Sequence, residues 1–143
     1  MNKWSKTSNL RLNTCHEDLQ IIFDVVLQIF DCSIICGHRN EYEQNKAFLN
    51  GYSQLKWPNG SHNVAPSMAI DVSPYLPDVK IDGNNQKHLK YFYHFSGIVL
   101  GVAEMLLDSG EITHRVKWGG DWDMDDNMDD QKFNDLYHYE LVM

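Results

Sequence analysis

The chain has 143 residues, 43% of them hydrophobic and 22% charged, which fits one globular domain with a real core and excludes a disordered or fibrous chain. Its formal net charge of -8, from 12 Lys and Arg against 20 Asp and Glu, excludes nucleic acid as the expected partner, because phosphate binding needs a basic face. No stretch approaches the roughly 18 to 20 apolar residues that cross a bilayer, so no stable membrane association is expected.

Met1 to Leu12 is polar and lacks an apolar stretch followed by a small-residue cleavage site, so it does not read as a secretory signal. Thr14-Cys15-His16-Glu17 has the form of a capping box. The spacing of Leu19, Ile22, Val25, Val26 and Ile29 then predicts a helix over about 15–30. Ser33 to Gly37 is an apolar run of strand length. The odd set Cys15, Cys32 and Cys36, without a C-x-x-C step, reads as reduced thiols rather than a disulfide framework or a metal site. A second helix is predicted over 41–50, stopped by Gly51, followed by a loop with Pro58-Asn59-Gly60 as its turn. Met68 to Val72 reads as a strand ending before Pro74, and Lys80 to Asn85 as a turn. Leu89, Phe92, Tyr93, Ile98, Val99, Val102, Met105 and Leu106 predict a long amphipathic helix over 86–108, ending at Gly110. Ile112 to Trp118 and Tyr137 to Val142 read as two more strands, separated by an acidic loop. The pattern is an α+β domain over 1–143, with helices packed against a small, largely antiparallel sheet.

Three residues stand out for their chemistry. His62 precedes a predicted strand, Asp71 lies on it, and His138 begins the last strand. Two imidazoles and a carboxylate suit tetrahedral zinc with one position open to solvent, the hallmark of a catalytic rather than structural site. Taken singly, each histidine reads as an ordinary polar residue, and spacing alone does not make a metal site.

The stretch Ser61-His62-Asn63-Val64-Ala65-Pro66-Ser67-Met68-Ala69-Ile70-Asp71-Val72 resembles the first zinc motif of the D-alanyl-D-alanine carboxypeptidase family, which shares the hedgehog and lysostaphin-type group. The commoner motif is S-x-H-x-x-G-x-A-x-D; here the step from His62 to Asp71 is nine and Pro66-Ser67 replaces the glycine, a form similar to that of the phage branch. The second motif, a carboxylate three residues before a histidine, is met by Asp135 and His138, with Tyr139-Glu140-Leu141 continuing it. Gly37-His38-Arg39 and Trp118 to Asp123 are also similar to phage endolysins. The resemblance runs from about residue 34 to 142. It implies a hedgehog/DD-peptidase-like fold, Zn2+ held by His62, Asp71 and His138, and Asp135 as general base and then acid. It implies that Arg39 stabilises the oxyanion or holds an anionic group of the substrate. Gln44 and Ser61 are weaker candidates for polar substrate contacts, and Tyr137 and Trp118 read as wall residues.

The expected activity is that of a phage endolysin, an L-alanyl-D-glutamate endopeptidase acting on bacterial peptidoglycan. It is expected as a monomer held in the host cytoplasm until release. A D-alanyl-D-alanine carboxypeptidase, or a zinc-stabilised binding module without turnover, would share much of the pattern. The acidic loop places Asp121, Asp123, Asp125 and Asp130 at spacings found in oxygen-rich Ca2+ loops, without the glycine and final Glu of an EF-hand. Similarity to phage relatives implies calcium there; a solvated, self-repelling turn is the other reading.

Overall fold

The computed structural model describes residues 1–143. Four strands, β1 (Cys32–Cys36), β2 (Ala69–Pro74), β3 (Arg115–Gly119) and β4 (Asp135–Val142), form one sheet in the order β1-β2-β4-β3. Every neighbouring pair is antiparallel. The helices are α1 (Lys6–Leu12), α2 (Glu17–Ile29), α3 (Glu41–Leu49) and α4 (Leu89–Asp108). The expected α+β class is observed, and no helix is long and apolar enough to cross a membrane.

Side chains alternate across a strand, and that alternation sorts the sheet into two chemical faces. Ile34, Ile70, Val72, Val116, Trp118, Tyr139 and Leu141 join the core with Leu19, Ile22, Phe23 and Val26 of α2 and Phe92, Phe95 and Val99 of α4. Trp118 is therefore a core residue rather than a wall of the site; its Nε1 donates to Leu136 O at 2.9 Å. The residues between the apolar ones, Asp71, His138 and Glu140, fall on the opposite face.

Helix α1 is not announced by any apolar period, since only Ser8 and Leu12 of it are buried. It covers the edge of the sheet instead. Ser8 Oγ accepts from Ile34 N and Arg11 Nη1 donates to Ile34 O, both at 3.0 Å, which satisfies outward-facing backbone groups of β1. The capping box expected from Thr14 and Glu17 does not form, because Thr14 Oγ1 donates to Arg11 O and accepts from His38 N. His16 caps α2 in its place, its Nδ1 accepting from Asp18 N. Asn40 and Glu43 do make a capping box, at the start of α3. Strand β2 continues through Pro74, which pairs with Cys32 at the end of the ladder, where a missing N–H is tolerated. Strand β4 begins at Asp135, so His138 sits inside the strand and not at its start.

Asp18 ties the start of α2 to the approach of β3. Its Oδ2 accepts from Thr113 N (3.0 Å), Thr113 Oγ1 (3.1 Å), His114 N (3.0 Å) and His114 Nδ1 (2.7 Å). Burial pushes its pKa up, but the donors on His114 and Thr113 outweigh this and hold it below the usual carboxylate range. With the folded pKa depressed, the stabilisation is complete above the unfolded value of about 3.9 and is lost as pH falls through the folded value. Asp18→Ala should therefore lower the unfolding free energy by about 2 kcal/mol at neutral pH. The loss should shrink in strong acid. Urea denaturation at neutral and strongly acidic pH measures both, and an equal loss at the two would contradict the charged lock.

Candidate active site

The register of β2 against β4 sets Asp71 opposite His138. His62 arrives from a single 3-10 turn, Ser61–Asn63. His62 Nε2 lies 3.3 Å from Asp71 Oδ1 and 3.3 Å from His138 Nδ1, and His138 Nδ1 lies 3.2 Å from Asp71 Oδ1. A tetrahedral zinc ion with N and O bonds of about 2.0–2.1 Å needs donors about 3.3 Å apart, so this triangle has a fitting size. The second nitrogen of each ring is already engaged. His62 Nδ1 is 2.7 Å from Gly37 O, and His138 Nε2 is 2.9 Å from Glu140 Oε1. Such contacts orient metal-ligating imidazoles and leave His62 Nε2 and His138 Nδ1 as the free donors.

Three electron-rich atoms cannot sit this close without protons or a cation between them. Burial opposes charge on all three residues, yet their mutual attraction prevails. Asp71 is held well below the usual carboxylate range by the two histidines. Beside Asp71, His62 is pushed up to about 10, and His138 is raised by its bonds to Asp71 and Glu140. A bound divalent metal would displace those protons.

Arg39 Nη2 donates to Asp71 Oδ2 at 2.9 Å, so Asp71 turns one oxygen to the histidines and the other to the guanidinium. Asp135 offers an oxygen within 4.8 Å of the donor atoms of Asp71 and His138. Burial and the charge of Asp71 push its pKa up to about 6, against the pull of His138, His62 and Arg39. A carboxyl group near neutrality can both take and return a proton. Regular alternation does not by itself deliver Asp135 to this face. The β3–β4 register jumps from Trp118↔Tyr139 to Gly119↔Asp135, a bulge that re-aims the strand. Gly119 permits it, since a Cβ there would collide with the backbone carbonyl of Asp135.

Two cavities meet at this point. One of about 500 Å³ is lined by His62, His138, Ser61, Trp122, Lys132 and Phe133 among others. One of about 420 Å³ is lined by Ile35, Ile81, Tyr137 and neighbours. Arg39, Tyr52 and Asp135 border both. Ser61 is half-buried in the larger cavity wall. Gln44 is 1% exposed and its amide is consumed internally: Nε2 donates to Ser53 Oγ (2.9 Å) and Leu55 O (2.7 Å), and Oε1 accepts from Asn63 Nδ2 (3.1 Å). It braces the 53–55 wall against the His62 turn.

Three site residues escape the sequence reading. Glu140 is two positions from His138 on a strand, hence on the same face, and strand alternation could have found it. Trp122 packs against His138 with ring centroids 5.2 Å apart and planes tilted by 42°, and donates from Nε1 to Phe133 O, joining the acidic loop to the site. Cys36, a free thiol, brings its sulfur within 4.8 Å of the donor atoms of His62 and Asp71, although its spacing to other cysteines carries no signal. In the acidic loop, Asp121, Asp123 and Asp125 each offer an oxygen within 4.8 Å of the others. Asp130 lies outside that group of three, and its Oδ1 accepts from Gln131 Nε2. Met124 and Asp126 take left-handed φ values of 59° and 65°, and Asp121 accepts from Asp125 N and Asp126 N.

A buried N2O donor set, beside a carboxyl group of near-neutral pKa in an open groove, defines a hydrolase site of metallopeptidase type. The chain belongs to the phage L-alanyl-D-glutamate peptidase family, whose model matches residues 1–142. It is thus a peptidoglycan hydrolase of the endolysin class. Its fold is similar to the crystal structure of Serratia marcescens L-Ala D-Glu endopeptidase ChiX, with a TM-score of 0.68 and 21% identity over 97% of this chain and 89% of that one. No individually curated protein matches the sequence.

Gly119→Ala should displace the β4 backbone at Asp135 and lower kcat/KM on the order of 10²-fold, with the fold retained. Circular dichroism and peptidoglycan clearing assays check this together. Unchanged clearing would mean that the close approach does not position Asp135.

Proposed function

We propose that this chain is a zinc-dependent endopeptidase in which His62, Asp71 and His138 hold the metal and Asp135 moves the proton. The observation that carries the reading is the meeting of two cavities at Arg39 and Asp135. A groove open on both sides of the reacting centre accepts a chain cut in its interior, whereas a carboxypeptidase needs one side closed around a terminus. Zinc, when bound, supplies a Lewis acid that polarises the scissile carbonyl and brings the pKa of water towards about 7. Asp135 takes the proton of the attacking water on a carboxylate oxygen and returns it to the D-glutamyl nitrogen as the C–N bond breaks. The products are an L-alanyl carboxylate and a D-glutamyl amine. Arg39 orients Asp71 through Oδ2 and reaches Gln44 Oε1 from Nη1 at 3.5 Å, leaving its remaining N–H for the scissile carbonyl oxygen. Glu140 holds the His138 ring through Nε2. Ser61 faces the larger cavity as a polar contact, and Gln44 contributes by fixing the wall.

Residues 1–143 act as one catalytic domain in this reading, supported by a common core of 21 buried residues that draws on α2, α4 and all four strands. The protein works as a monomer, made in the host cytoplasm and acting on the wall after release. Calcium orders the acidic loop through Asp121, Asp123, Asp125 and Asp130, a role supported by the proximity of the first three. Calorimetric titration should show calcium binding that Asp123→Asn weakens; no heat at millimolar calcium would remove this part of the reading.

Asp135→Asn should keep zinc, measured by metal analysis after dialysis, while lowering kcat by on the order of 10³-fold. His138→Ala should lose both zinc and activity. Mass spectrometry of digested peptidoglycan should reveal new D-glutamyl amines with the parent enzyme. Release of terminal D-alanine alone, or full activity in Asp135→Asn, would overturn the mechanism.

A further inference from the structure

The two cavities differ in chemistry, and the difference orients the substrate. The smaller is walled by Ile35, Ala47, Ile81 and Tyr137, with charge only at Arg39, Asp71 and Asp135 beside the donor residues, and the larger carries most of the charge. Only Arg39 and Lys132 supply Lys or Arg charge to the larger one. Arg39 is committed to Asp71 at 2.9 Å. Lys132 is exposed, and the ion pairs made by lysines and arginines involve Arg39, Arg115 and Lys117 but not Lys132. Asp123 and Asp130 line the same cavity, so away from the His62–Asp71–His138 centre Lys132 is the cation an entering anion meets.

The bond cleaved has unlike sides. L-alanine offers a methyl group and no charge. D-glutamate has two carboxyl groups, and when one continues the stem the other remains an anion at neutral pH unless amidated. We propose that the larger cavity takes the D-glutamyl side of the scissile bond and that Lys132 binds its free carboxylate, with the L-alanyl side in the smaller cavity, against Ile35, Ala47 and Ile81. Lys132 is then a specificity residue, reading whether the wall's glutamate is free or amidated. This rests on the reading of Arg39 and Asp135 as the point of cleavage.

The test uses two synthetic stem peptides that differ only in a free carboxylate or a carboxamide on D-glutamate, cut by zinc-loaded parent, Lys132→Met and Lys132→Arg proteins. The parent should favour the carboxylate by about tenfold in kcat/KM, mostly through KM, and the preference should shrink at high salt. Lys132→Met should lose the preference by slowing only the carboxylate peptide, and Lys132→Arg should restore most of it. A Lys132→Met protein that keeps the preference, or that slows both peptides equally, overturns the proposal. A folded, metal-loaded parent that cuts neither peptide at the alanyl–glutamyl bond overturns the cleavage-point reading along with it.

Discussion

The carboxylate of Asp71 sits at the centre of the sheet, 6% exposed, and every functional group in the cleft is arranged around it. A buried charge is costly unless it is paired and hydrogen-bonded, and here one oxygen faces two imidazoles while the other faces the Arg39 guanidinium. That arrangement makes the polar face of the sheet possible at all. It also explains why partners converge from remote parts of the chain, for no local segment could neutralise Asp71 alone. Satisfying the same charge with protons or with a divalent cation are alternatives within one geometry, so folding and metal binding make the same demands on these side chains.

The apolar face supplies the rigidity that such a site requires. Ile70 and Tyr139 flank Asp71 and His138 along their strands and are themselves fully buried against α2 and α4. Movement of either donor would disturb the helix–sheet core, where dense packing resists displacement. At the margins, α1 satisfies the edge of β1 and Asp18 fastens α2 to the entry of β3. These contacts are remote from the cleft, yet they keep the sheet from opening beneath it.

The cleft walls have a different origin from its floor. The 53–55 segment is held by Gln44, and the acidic loop is held by Trp122 against His138 and the Phe133 carbonyl. Each wall is thus anchored by a side chain that also touches the donor residues or the turn that carries one. Change in a wall is transmitted to the His62–Asp71–His138 cluster through one packed or hydrogen-bonded contact.

The sequence by itself determined the helix and strand periods, the α+β class and, through two motifs, the candidates His62, Asp71, Asp135 and His138, which the fold brings together. Those features are local: apolar spacing, turn residues and short motifs depend on neighbours in the chain. It did not disclose α1, whose stabilising contacts are to a strand more than twenty residues away. Nor did it disclose the use of Gln44 as a brace or the nearness of Cys36. The tertiary structure alone decided that the β3–β4 bulge turns Asp135 into the cleft and that two unlike cavities meet there. Register and cavity shape arise from pairing between distant segments, and no pattern within a single segment encodes that pairing.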